Sequence, residues 1–153
     1  MKNLLLIPAI LASLVAAAIA QAPTAALAGG IGNNYIAPSV TFGGRQTIFS
    51  VESKFGIADN ISLRPYVGFP SAGIQFGSSV TYDWDLRQAS LPITPFIGLG
   101  VTFQTGLNTS TVSAQIGADF NISENITWSG GVVVPFDSNN FFVGVGLGAG
   151  LRF

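Results

Sequence analysis

The sequence has no cysteine and no histidine, and only 8% of its 153 residues are Asp, Glu, Lys or Arg. Without cysteine the chain has no disulfides and no thiolate chemistry. Without either residue it lacks the usual parts of a nucleophilic triad and of a zinc site, so we expect no enzyme, metal or cofactor. The net charge is −1 with no acidic or basic block, and we therefore expect no nucleic-acid partner.

A long apolar helix is also missing from most of the chain. Mean hydropathy is +0.53, yet beyond the first 20 residues no apolar run reaches the length of about 20 residues that a membrane-spanning helix needs. The low charge is equally unusual for a soluble surface, which carries roughly 25–35% charged residues. Both features fit a membrane β-barrel, whose strands place apolar residues only at alternate positions.

The N-terminus resembles an export signal. Lys2 precedes an apolar stretch from Leu4 to Ala20, and Ala18-Ile19-Ala20 forms an A-x-A cleavage site. A membrane anchor is the alternative, and no stop-transfer charges support it. A second A-x-A, Ala26-Leu27-Ala28, leaves the cleavage point open. We interpret 1–20 as a signal peptide, 21–30 as a short flexible segment and 31–153 as one barrel domain.

The rest of the chain shows period-2 alternation, clearest at the C-terminus. There the odd positions are apolar from Phe141 to Phe153, whereas the even positions between Gly144 and Gly150 are all Gly. The same parity predicts an all-β, eight-stranded, antiparallel up-and-down barrel. Its predicted strands are Ile36–Phe42, Phe49–Phe55, Ile61–Phe69, Ile74–Trp84, Ile93–Phe103, Thr111–Ile122, Ile126–Phe136 and Phe141–Phe153.

The bulky face of these strands is expected to point outward into lipid. Eight strands enclose an interior just wide enough for side chains, too narrow for rows of Phe, Leu and Ile from every strand. The other face is mainly Gly, Ser and Thr, which makes a poor soluble surface. A soluble lipocalin-like barrel is the alternative, and the pattern disfavours it.

Strand direction sorts the outward aromatic residues into two belts, as a bilayer with two interfaces selects. This assumes that the chain starts on the periplasmic side. The predicted periplasmic belt is Phe55, Tyr82, Trp84, Phe120, Trp128 and Phe153, and the predicted outer belt is Phe42, Phe49, Phe69, Phe76, Phe103, Phe136 and Phe141.

The signal peptide, the eight alternating strands and the terminal Leu151-Arg152-Phe153 together resemble the small outer-membrane barrels of the OmpA/OmpX type. The resemblance covers the chain after the signal peptide. It implies that Leu147, Ala149, Leu151 and Phe153 form the signal read by the barrel-assembly machinery, with Phe153 as an interface anchor as well. It also implies outer-membrane lipid as a partner, and we expect a monomer. Enzymes among such barrels resemble histidine-dependent catalysts, which a chain without histidine does not match.

Charged residues at inward positions are the candidate functional residues. They are Glu52, Lys54, Arg64, Asp83, Asp119 and Arg152, three acids and three bases. Lys54 is expected opposite Arg64, a repulsive pair unless an acid bridges it. Glu52 lies diagonal to Arg64, and Asp119 is expected to reach across the interior.

Two functions remain open for this charge network. It either satisfies charges buried in a closed, structural barrel, or it gates a small porin-like channel for ions or very small solutes. Asp83 and Asp85 share a face at a strand end, and we expect a solvated turn there rather than a catalytic carboxylate pair.

Overall fold

The structure, a computed structural model, describes residues 34–43, 46–84, 86, 91–136 and 143–153. The predicted signal peptide 1–20, the segment 21–30, Asp85 and Phe141 lie outside these residues. No helix within the described residues is long and apolar enough to cross a membrane. The strands are β1 Tyr35–Gly43, β2 Gln46–Ala58, β3 Ile61–Phe69, β4 Gln75–Asp83, β5 Ile93–Gln104, β6 Thr109–Asn121, β7 Ile126–Pro135 and β8 Gly144–Arg152.

The eight strands form a closed antiparallel barrel in chain order, with β8 paired to β1. The predicted fold class is therefore confirmed, and most boundaries agree within one or two residues. β2 is longer than predicted at both ends, because its pairing with β1 begins at Gln46 and its pairing with β3 continues past a bulge to Ala58. β6 begins at Thr109 because Asn108, with φ of 49°, closes a tight turn directly before it.

The barrel has an apolar outside and a polar inside. Among the described residues only four hydrophobic side chains are buried, against twelve polar or charged ones. Large apolar side chains such as Phe49, Leu99 and Leu147 are exposed on the outer wall. This inverts the arrangement of a water-soluble protein, in which Lys, Arg and Asp are seldom buried.

Prolines interrupt two of the hydrogen-bond ladders. The carbonyl oxygen of Asn34 accepts a hydrogen bond from Phe153 N at 3.1 Å, so alternate residues of β1, including Pro38, face β8. The β1–β8 register lacks pairs at residues 37 and 38, as expected where proline has no N–H to donate. The β2–β3 register has the same gap at Arg64 and Pro65. Pairing of β1 with β2 is uninterrupted over nine residues.

We call the end of the barrel where β1 begins and β8 ends the proximal end, and the opposite end the distal end. Exposed aromatic residues gather at both. Tyr82, Trp84, Phe120, Trp128 and Phe153 are exposed at the proximal end, and Phe42, Phe49, Phe69, Phe103 and Phe136 at the distal end, where Phe76 is half-buried.

Phe55 departs from the predicted belt, because only 7% of its side chain is exposed. The chain continues past β8 along Asn34, and this brings the ring of Phe153 edge-on against that of Phe55, with centroids 6.4 Å apart. Placing Phe55 among the exposed aromatic residues was therefore wrong. Phe153 holds the exposed position beside it.

Candidate functional site

Two cations lie side by side inside the barrel, joined by one carboxylate. The register on both sides of the Pro65 gap places Lys54 opposite Arg64. Asp119 reaches them from β6: its Oδ2 is 2.9 Å from Lys54 Nζ and 2.8 Å from Arg64 Nη2. Arg64 Nη1 also donates to Asp119 Oδ1 at 3.2 Å. The bridging acid thus offsets the repulsion between the cations.

Asp83 is the second acid of this network. Its carboxylate lies 2.7 Å from Lys54 Nζ and 3.5 Å from Arg64 Nη2. Ser62 Oγ and Thr81 Oγ1 each donate to it, at 2.6 and 2.9 Å. The residue is 0% exposed, so the expectation of a solvated turn was wrong. Two cations and two hydroxyls surround the carboxylate at the strand end, which makes Asp83 part of the interior.

Tyr35 completes the network, although it is not among the residues predicted from the sequence. Its hydroxyl accepts a hydrogen bond from Arg64 Nη1 at 2.9 Å and donates to Asp119 Oδ1 at 3.2 Å. The side chain is 1% exposed. The predicted first strand began at Ile36, one residue late. Extending its outward-inward alternation by one position would have placed Tyr35 in the lumen.

Phe96 forms an apolar face for the network. The Arg64 guanidinium carbon lies 3.7 Å from the centroid of its ring, a cation–π contact. The ring needs a glycine beside it, because a Cβ on Gly117 would come within 2.6 Å of Phe96 Cζ. Gly150 makes equivalent room for Tyr35, where an added Cβ would lie 2.9 Å from the ring. These inward glycines therefore shape the space for the two aromatic rings.

The other two predicted residues lie elsewhere. Glu52 lines a small cavity next to Arg64 and is hydrogen-bonded to Ser129. Lys54 and Arg64 form their ion pairs with Asp83 and Asp119, and Glu52 is not one of these partners. Arg152, near the chain end, donates from Nη1 to the carbonyl oxygen of Ser123 at 2.6 Å, in the connection between β6 and β7. The structure therefore brings together four of the six predicted residues, with Tyr35 as a fifth member.

Hydrogen bonds between uncharged side chains cross the distal lumen. Tyr66 and Thr102 hydrogen-bond through their hydroxyls, and Gln115 Nε2 donates to Ser79 Oγ at 2.6 Å. The cavity beside Glu52 has a volume of about 80 Å³. That is room for about two or three waters, at roughly 30 Å³ each in the liquid.

This arrangement suits electrostatic closure of the lumen better than catalysis. Asp83 and Asp119 each contact two cations, so neither carboxylate is placed as a general base with a free approach. Within the described ranges no group of three or more potential metal ligands comes together.

No family model matches the chain, and no curated protein sequence matches it. Solved structures do. A de novo designed transmembrane β-barrel superposes with a TM-score of 0.63 at 15% identity, covering 82% of this chain and 99% of the design. The N-terminal β-barrel domain of OprF from Pseudomonas aeruginosa gives 0.56 at 15% identity, covering 80% and 99%. The outer membrane protein Ail of Yersinia pestis, solved in a phospholipid bilayer nanodisc, gives 0.55 at 10% identity, covering 78% and 99%.

The chain has the fold of the small eight-stranded outer-membrane β-barrels. The resemblance drawn from its strand pattern is thus confirmed in fold. At 10–15% identity these likenesses concern architecture alone.

Proposed function

We propose that this chain is a structural, non-enzymatic integral protein of a bacterial outer membrane, with a lumen closed by buried ion pairs. The observation that carries the proposal is the inverted wall: exposed apolar side chains surround a polar interior on a closed barrel. Such a wall is stable only in hydrocarbon, since it would expose a large apolar surface to water. Outer-membrane lipid is then the principal partner. The protein is a monomer whose outer wall contacts lipid on all sides.

The proximal end faces the periplasm in this proposal. Residues 1–20 direct export, and the two-residue turn Asp59–Asn60 and the short connection 122–125 fit the brief periplasmic turns of such barrels. Leu147, Ala149, Leu151 and Phe153 then act as the signal for the barrel-assembly machinery. Leu147, Leu151 and Phe153 are exposed on the outer wall, where a recognition partner reaches them.

The closed lumen rests on the span of the network. Its members come from β1, β2, β3, β4 and β6, so the contacts cross the interior from several sides. Removing one partner of a buried ion pair typically costs about 3–5 kcal/mol. Opening the lumen through this layer would require separating several such pairs together.

Localisation tests the proposal directly. The protein expressed with its leader is expected in the outer-membrane fraction, and the folded form is expected to migrate differently on a gel before and after heating. A fully soluble mature protein would overturn the proposal, because a protein dissolved in water would have to expose this large apolar wall to solvent.

A small channel for ions or very small solutes is the second candidate, and the polar cavity of about 80 Å³ beside Glu52 favours it. In that case the ion pairs gate a path from the distal lumen. Planar-bilayer recordings of the native protein and of Asp119→Asn separate the two candidates. Conductance that rises in the variant supports the channel, and two equally silent proteins exclude the gate.

A further inference from the structure

A groove of about 510 Å³ runs along the outer wall where the barrel closes between β8 and β1. We call it the seam groove. Its floor includes Pro38, Gly130 and Ala149, and Phe120, Trp128 and Leu147 stand at its sides. Serine residues lining it, Ser39 and Ser129, belong to inward positions, so the surface that it offers is almost entirely hydrocarbon.

The seam groove exists because small residues lie between large ones at the same level. Trp128 pairs with Ala149 across β7 and β8, and the register on both sides of the proline gap places Ala149 opposite Pro38. Trp128 also pairs with Phe120 on its other side. Two exposed aromatic rings therefore stand beside two residues with little side chain.

Leu147 lies at the rim of the groove, next to Gly130. A Cβ on Gly130 would lie 3.3 Å from Leu147 Cδ2, so the absence of a side chain there leaves Leu147 lying beside bare backbone. The small side chains of Pro38 and Ala149 and the missing side chain of Gly130 therefore account for the depression between Phe120, Trp128 and Leu147.

We propose that the seam groove binds an acyl chain of a membrane phospholipid. This rests on the proposed membrane location, under which the groove opens onto hydrocarbon and is continuous with the lipid-facing wall. An empty groove in hydrocarbon would lose dispersion contacts along its whole length, and a chain that fits it restores them.

Trp128 sets the direction of the bound lipid. Tryptophan prefers the interfacial region, where its ring lies near the headgroups and its N–H meets polar partners. The glycerol end of the lipid therefore lies by Trp128 at the proximal end, and the chain extends past Ala149 towards Val40 and Phe49. The groove contacts the acyl chain of the lipid. None of its lining residues is charged, so it offers no charged partner to the headgroup.

A second copy of the barrel is a less suitable occupant. The seam groove is lined by eleven residues. A stable protein interface uses about 20–30 residues on each side.

Fluorescence quenching tests the proposal, since the chain has two tryptophans and both lie at the proximal end. Trp84→Phe leaves only Trp128, in the groove, and Trp128→Phe leaves only Trp84, outside it. Each protein is folded in dodecyl maltoside micelles and titrated with acyl-brominated phosphatidylcholine, so that phospholipid competes with detergent for the groove. We expect a saturable quenching component for Trp128 with about tenfold preference over detergent, equivalent to about 1.4 kcal/mol, and only proportional quenching for Trp84.

Filling the seam groove should abolish the difference. Ala149→Phe, made in the Trp84→Phe background, is expected to reduce Trp128 quenching to the proportional form. Ala114→Phe is the matched control, because Ala114 faces outward on β6 away from the groove. Gel mobility before and after heating verifies that each variant folds.

Each outcome decides a separate point. Equal, proportional quenching of both tryptophans would refute the lipid site while leaving the membrane location intact. No quenching of either would refute the proposed function itself. A barrel pair that cross-links in these micelles and is lost in Ala149→Phe, without saturable quenching, would assign the groove to a second copy and overturn the proposal.

Discussion

Lys54 Nζ and Asp119 Oδ2 lie 2.9 Å apart inside the barrel, although 65 residues separate them in the chain. Their contact spans the lumen from β2 to β6, and Asp119 holds Arg64 with the same oxygen. Asp119 therefore bridges the two cations that the β2–β3 register places side by side, and Asp83 supplies the second negative charge.

Asp119→Leu is therefore expected to destabilise the folded barrel strongly. The change leaves two buried cations with Asp83 as their shared partner, and breaking a buried pair typically costs about 3–5 kcal/mol. Urea unfolding in lipid vesicles, followed by tryptophan fluorescence, measures the loss. Asp59→Asn in the exposed turn after β2 is the control and should unfold like the native protein. A loss for Asp119→Leu no larger than for this control would contradict the network.

Lys54→Met and Asp83→Asn should be less than additive. Either change alone leaves a buried charge short of a partner, whereas the double variant removes one cation and one acid together and keeps the pair of Arg64 with Asp119. Coupling between groups in such direct contact is about 0.5–3 kcal/mol. A double-mutant cycle on the free energy of unfolding measures it. Strict additivity would mean that the 2.7 Å contact contributes no coupling.

Tyr35→Phe tests the one member of the network that was not predicted from the sequence. The variant removes the hydroxyl that accepts from Arg64 and donates to Asp119, and hydrogen bonds to charged groups contribute about 1.5–3 kcal/mol. Tyr82→Phe provides the same change at an exposed tyrosine, whose hydroxyl accepts from Asn60 at 2.9 Å. The buried variant should lose clearly more stability than the exposed one. Equal losses of stability would mean that the hydroxyl of Tyr35 contributes no more than that of an exposed tyrosine.

The strand pattern predicted the architecture because each strand carries its own period-2 signal. Parity alone also placed Lys54, Arg64 and Asp119 in the lumen. It could not predict the arrangement of their contacts, since these depend on the curvature that brings β6 opposite β2 and β3. The burial of Asp83 was missed for a related reason: a residue at a strand end is solvated or covered according to neighbours far away in sequence.

Phe55 shows the same limit on the outer wall. Its parity correctly indicates an outward position, yet the ring of Phe153 covers it. The contact arises from the end of the chain lying along Asn34, and nothing in the alternation of β2 encodes it. Alternation therefore predicts the side of the sheet that a residue faces, and long-range packing decides whether that residue is exposed.

Gly117→Ala should disturb the interior, whereas Gly130→Ala should be tolerated. A methyl at Gly117 would press against the ring of Phe96 and the backbone of β7, and overpacking typically costs about 1–3 kcal/mol. A methyl at Gly130 faces outward, and its nearest neighbour is the terminal methyl of the flexible Leu147 side chain at 3.3 Å. Unfolding midpoints in urea compare the two. A Gly117→Ala variant as stable as Gly130→Ala would show that the ring of Phe96 can adopt another position without loss of stability.

Pro38→Ala is expected to stabilise the barrel at its seam. The new N–H would face Ala149, whose carbonyl lacks a ladder donor from Pro38 in the native protein. A hydrogen bond contributes about 0.5–1.5 kcal/mol net, and in hydrocarbon an unsatisfied carbonyl is costlier still. Losing proline relaxes the unfolded chain and offsets about 0.4–1 kcal/mol, so the net gain is small. Amide exchange resolves it locally: the alanine amide at 38 and its neighbours in β8 should become protected, with no change in β5 and β6. Unchanged exchange across the seam would mean that the missing donor is not what interrupts the β1–β8 ladder.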